Sequence, residues 1–201
     1  MPPLDTEKLR VALFGGSFDP VHNGHLMIAR YALKQIGLDR VIFVPAAKSP
    51  LKQGRAYASD NARMEMLELA TSGEPRFKVD SVELEKGGIS YTVDTVEYFR
   101  AQMKKSELFF LIGADQFELL DRWYKIEKLM EMVTFLVFGR PGTSLDGRGL
   151  KGLHYVEVDA PLMEVSSSEI RALVGTGQAL TDLVCPPVEA FISEEGLYTD
   201  G

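Results

Sequence analysis

An α/β chain with a mostly parallel sheet is predicted by two observations on this sequence. Short β-rich runs alternate with stretches whose apolar residues recur at steps of three and four, the pattern of βαβ units. Such a sheet is expected to be mostly parallel and buried on both faces. At 201 residues, 45% hydrophobic and 25% charged, the chain has material for one such domain with a sizeable core.

The first strand, 11–14, runs into Gly15-Gly16 and then Asp19-Pro20, a turn-forming pair. A helix over 25–36 follows, with Leu26, Ala29, Leu33 and Ile36 on one face and Gly37 as its stop. Further strands are expected over 41–44, 77–82, 108–112, 134–138 and 155–158. Helices are expected over 60–70 and 92–103, with helical pieces in 116–132. A Gly-rich loop, 139–152, precedes two C-terminal helices. One opens on the capping-box pattern Ser166-Ser167-Ser168-Glu169 and stops near Gly175; the other starts at Pro186-Pro187 and ends at Gly196. The whole, residues 1–201, reads as a single Rossmann-like, doubly wound domain whose ligands bind at the carboxyl ends of the strands.

Composition narrows the partners. A net charge of −7 and a pI near 5.1 argue against general nucleic-acid binding, which needs a basic face. The single cysteine, Cys185, cannot close an internal disulfide, which fits a reducing compartment. Residues 1–5 lack a basic and apolar leader, and no apolar run approaches a membrane span, so a cytoplasmic location without membrane attachment is expected. Apolar side chains on the last helices either cover the sheet or meet a second copy, which leaves a homo-oligomer open.

The segment from Gly15 to His25 carries the chemistry. Two of the three histidines, His22 and His25, flank a strand-to-helix turn where glycines let a ligand approach the backbone. Unpaired N–H groups and the helix dipole attract anions there. No carboxylate or thiol at helical spacing completes a zinc set, and neither a Gly-x-Gly-x-x-Gly pattern nor a Walker lysine follows the strand. A convincing nucleophile is also lacking. The economical reaction for phosphates bound here is direct attack by an already deprotonated phosphate oxygen on another phosphorus, which needs positioning and charge stabilisation but no general base. His22 and His25 would then donate to the α-phosphate, Arg171 would hold the outer phosphates, and Lys52 would add a mobile cation. Arg171 could instead pair with Glu169 or Glu164, and Lys52 could be merely solvated. Asp115 is either a helix N-cap or an acceptor for ribose hydroxyls. Trp123 and Tyr124 are either core or the walls of a site for a planar ring.

These residues resemble the nucleotidyltransferases with a His-x-x-His signature, and within them the bacterial nicotinate-nucleotide adenylyltransferases. The similarity rests on Gly15 to His25, Ser90-Tyr91-Thr92, Gly113-Ala114-Asp115, Trp123-Tyr124, Arg140-Pro141-Gly142 and Ser166 to Arg171, in the family's order. Two departures are Leu51, where the family commonly has histidine, and serines at 17 and 168 in place of threonine. The resemblance implies transfer of AMP from ATP to nicotinate mononucleotide, with Mg²⁺ accompanying ATP and pyrophosphate released. It makes His22, His25 and Arg171 catalytic. ATP would be held by Gly15, Gly16, Ser17, Phe18, His22, His25, Lys52, Asp115, Arg140, Ser166, Ser168 and Arg171. Nicotinate mononucleotide would be held by Thr92, Val93, Trp123 and Tyr124. Rivals are an enzyme that uses nicotinamide mononucleotide, or both mononucleotides, and a nucleotide-binding regulator without catalysis.

Overall fold

The computed structural model describes residues 8–48, 57–139, 149–161, 163 and 165–199. Six strands, β1 (Arg10–Gly16), β2 (Arg40–Pro45), β3 (Phe77–Val79), β4 (Glu107–Gly113), β5 (Thr134–Phe138) and β6 (Tyr155–Val158), form one sheet in the order β3-β2-β1-β4-β5-β6. All five pairings are parallel, so the sheet is uniformly rather than mostly parallel. The helices are α1 (Asn23–Ile36), α2 (Asp60–Thr71), α3 (Val82–Lys86), α4 (Thr92–Gln102), α5 (Ala114–Phe117), α6 (Ile126–Met130), α7 (Ser167–Gly175) and α8 (Pro186–Glu194).

The period-two alternation of β1 divides the core. Ala12 and Phe14 pack with Leu26, Ala29 and Leu33 of α1, Met66 and Leu67 of α2, Ile170 of α7 and Val188 of α8. Val11 and Leu13 pack on the opposite face with Val93, Val96 and Phe99 of α4 and Leu129 of α6. The connections turn one way from β1 to β2 and β3, and the other way from β4 to β5 and β6. The carboxyl ends of β1 and β4 therefore border the crevice where such sheets bind ligands.

Two elements differ from the sequence expectation for local reasons. The strand expected over 77–82 ends at Val79, because the Asp80 carboxylate accepts the Val82 N–H at 2.9 Å and turns the chain into α3. The stretch 116–132 is broken into α5, a 3₁₀ turn (Leu120–Arg122) and α6, with Lys125 in the left-handed region at φ 52° just before α6.

Candidate active site

The β1–α1 junction is built for close backbone approach. A Cβ on Gly16 would stand 2.9 Å from the Phe18 ring, so only glycine fits there. Phe18 takes φ 47° and buries its ring edge-on against Phe14, Phe43 and His25, at centroid distances of 5.5, 5.8 and 5.0 Å. Its contribution to a ligand is thereby confined to the main chain. A cis peptide joins Asp19 to Pro20. The buried Asp19 carboxylate accepts the amides of Tyr57 (2.7 Å) and Ala58 (3.1 Å) and the Tyr198 hydroxyl (2.8 Å), so it ties the junction to the segment before α2 and to the C-terminal residues.

His22 is the N-cap of α1 and His25 its third residue, and the rings stack at 3.6 Å between centroids. The His22 N–H donates to Nδ1 of His25 at 3.2 Å, which leaves the proton of a neutral His25 ring on Nε2. His22 is buried, with no hydrogen-bond partner for Nδ1 among the described residues. Burial lowers its pKa from 6.5 to about 4, against a smaller upward pull from Glu169, so the ring is neutral at pH 7. The first turn of α1 carries no acidic residue, so its own side chains do not offset its positive end. Part of that end is already used, since the Asn23 N–H donates to Leu183 O at 2.8 Å.

Helix α7 is fastened to the same junction. The Ser167 hydroxyl donates to Pro20 O at 2.9 Å, and Arg171 donates through Nη1 to Asp19 O (2.6 Å) and through Nη2 to Ser168 Oγ (3.1 Å). The guanidinium also lies 4.1 Å from the Tyr57 ring centroid. It makes no ion pair with Glu169, whose carboxylate instead completes the capping box with the amide and hydroxyl of Ser166, both at 2.9 Å. Arg171, Ser168 and the histidine pair are thus brought together, as the sequence suggested.

The other wall of the crevice is more open. Asp115 is the second residue of α5 and is exposed; the cap is Gly113, which removes the N-cap reading of Asp115. At α4, the first amides with acceptors among the described residues are those of Asp94 and Thr95, both on Tyr91 O, so the N–H groups of Thr92 and Val93 have no acceptor among the described residues. Val93 buries its side chain and can offer only its amide. Tyr124, half exposed, packs on Tyr91 at 4.5 Å, which draws the Ser90-Tyr91-Thr92 and Trp123-Tyr124 motifs together. Trp123 sets its indole edge-on against Phe110 and Phe135, at 5.9 and 6.4 Å. It is part core and part surface, and its buried Nε1 has no partner among the described residues.

Lys52 and Arg140 lie outside the described residues. Two side chains at the site, Arg63 and Tyr198, were missed from sequence, and Ser90 was named there only within a motif. Arg63 of α2 is fully buried and donates to Ser17 O and Ala46 O, each at 2.8 Å. Its signal was present, since position 63 shares a helical face with Met66, Leu67 and Ala70. Ser90 accepts the Ala47 N–H on Oγ at 3.0 Å, and its amide donates to Lys48 O at 2.9 Å, joining the segment after β2 to the approach of α4. Tyr198 gave no signal at all.

Comparison with known proteins decides the family. The cytidylyltransferase-like family matches residues 13–173. A probable nicotinate-nucleotide adenylyltransferase of Geobacillus kaustophilus (strain HTA426) is 41% identical over 189 residues, covering 94% of this chain and 86% of the relative. The chain belongs to the nicotinate-nucleotide adenylyltransferase family. The nicotinate-nucleotide adenylyltransferase of Bacillus subtilis (strain 168) is 39% identical, over 94% of this chain and 98% of its own. The fold is shared with the Plasmodium falciparum nicotinic acid mononucleotide adenylyltransferase complexed with NaAD, at a TM-score of 0.78, 19% identity and coverage of 96% and 98%. Membership makes the protein a nucleotidyltransferase.

Proposed function

We propose that this adenylyltransferase joins nicotinate mononucleotide to the AMP moiety of ATP, acting in the cytoplasm as one domain. A phosphate oxygen of the mononucleotide attacks the α-phosphorus of ATP. The new P–O bond replaces that to the β-phosphate, and pyrophosphate leaves with the bonding electron pair. Neither step requires a proton to move, so the protein's task is to position the reactants and stabilise charge.

His25, with its proton on Nε2, and His22 donate to the α-phosphate from the start of α1. Arg171, with Lys52 and Arg140, holds the outer phosphates, while the amides of Gly15 to Phe18 and the hydroxyls of Ser166 and Ser168 complete the cradle. Asp115 accepts from the ribose. Mg²⁺ would accompany ATP as part of the substrate. Asp19 is a poor ligand for it, because the carboxylate is already occupied by two amides and a hydroxyl.

The observation that carries the choice of an acid over an amide is the N–H pair of Thr92 and Val93, without acceptors among the described residues, beside the Tyr91–Tyr124 rings. Two donors suit a carboxylate, whereas an amide NH₂ would face donors with donors. Purified protein with MgATP and each mononucleotide, read by pyrophosphate release, should favour the nicotinate form by about tenfold or more in kcat/KM, which needs only about 1.4 kcal/mol. Equal rates would mean a dual-specificity enzyme, and no release with either would defeat the assignment.

A further inference from the structure

Strands β1 and β2 pair side by side up to Gly16 and Pro45, and one further bond, from Ala46 N–H to Gly16 O at 2.8 Å, closes the ladder. Beyond it the two chains diverge, one toward His22 and the other toward the segment after β2. Diverging chains strand their carbonyls, which must find donors elsewhere. Arg63 fills the fork. Its Nη1 donates to Ser17 O on one branch and Ala46 O on the other, both at 2.8 Å.

The grip also fixes the opposite ends of those peptides. In a trans peptide the C=O and N–H point in opposite directions, so a carbonyl held against Arg63 sends the next amide away from it. On the β2 branch the consequence is visible, since the Ala47 N–H reaches Ser90 Oγ at 3.0 Å. On the β1 branch the corresponding amide is that of Phe18, the residue whose ring is locked in the core and whose φ is 47°.

The guanidinium is also an electrostatic asset. Its side chain is completely buried, yet its counter-charge, Asp60 Oδ1 at 2.6 Å, sits on a side chain 56% exposed to water. The solvated Asp60 carboxylate screens the dry guanidinium only in part, and the buried Asp19 carboxylate lies near enough that Tyr198 feels both charges. This charge cannot swing away as a surface lysine can.

We infer that Arg63 is a positioning residue for the polyphosphate, pinning the Ser17 and Ala46 carbonyls so that the Phe18 N–H faces the phosphates over a fixed buried charge. The inference rests on the ATP reading above and deepens it, since Arg63 acts through the backbone without touching substrate.

The test compares wild type with Arg63→Met and Arg63→Lys. Calorimetric affinities for ATP and for pyrophosphate alone are measured together with KM for nicotinate mononucleotide, and each variant's melting curve defines its folded fraction. Arg63→Met should weaken ATP and pyrophosphate by about tenfold, the scale of losing well-placed hydrogen bonds. KM for the mononucleotide should stay within about twofold, and Arg63→Lys should recover part of the loss. Equal weakening of both substrates, or none, would overturn the proposal. If Arg63→Met does not fold, the same split in Arg63→Lys decides. A wild-type chain that binds no ATP would remove the parent reading and this one together. ATP binding by wild type with unchanged affinity in the variants would remove this one alone.

Discussion

The two walls of the crevice are built on opposite plans. On the β1 side, Phe18, Asp19, His22 and Arg63 are all buried, and the Ser17 and Asp19 carbonyls and the Asp19 carboxylate each meet a named donor. On the β4 side, Asp115 and Tyr124 stand in solvent, and the offered donors are main-chain amides at the open end of α4. Under the proposed reaction the first wall would be preorganised for a charge that develops only in the transition state, where donors fixed in advance are worth most. The second would need only to recognise a flat ring and its substituent. On that reading rigidity marks the chemical half and exposure the selecting half.

The largest expected effect breaks the first wall at its donor. His25→Ala should lower kcat by about a hundredfold or more, the scale for one preorganised donor, with a smaller change in KM for ATP. Wild-type turnover would contradict the role.

Dryness itself should be measurable through His22. Its pKa in the folded chain is about 4 against 6.5 unperturbed, so burying it neutral costs nothing above pH 6.5 and becomes unfavourable as the pH falls toward 4. Across that window wild type should lose about 3 kcal/mol of unfolding free energy relative to His22→Gln, which has no proton to gain. Parallel urea-stability curves for the two proteins would show that the ring is not dry.

Gly24→Ala probes tightness without touching a donor. The added Cβ would lie 2.9 Å from Val165 Cγ1 and 3.0 Å from His22 Nδ1, so the imidazole must shift. A fall in kcat of about tenfold is expected from such a misplacement, with KM for the mononucleotide unchanged. On the other wall, Tyr124→Ala should raise KM for nicotinate mononucleotide about fivefold through loss of ring contact, and leave ATP affinity alone. Effects on ATP in that variant would merge two walls that the structure keeps apart.

The same contrast explains what was legible in the sequence. Strands, helices and the His22–His25 turn announce themselves through local periodicity and glycine placement, so the sheet and the phosphate end could be read directly. Arg63 was readable too, as a charge in the apolar register of α2, but its partners Ser17 and Ala46 belong to other segments. The link from Tyr198 to Asp19 spans 179 residues and obeys no period. The cap at Gly113, which displaces Asp115 from that role, depends on where β4 stops rather than on residue type.

One measurement meets the central claim head-on: a crystal structure with a nonhydrolysable ATP mimic. The account predicts the α-phosphate within about 3 Å of the His25 ring nitrogen at the start of α1, a normal hydrogen-bond distance, with the outer phosphates near Arg171. A polyphosphate seated anywhere else on the sheet, out of reach of both imidazoles, would contradict it.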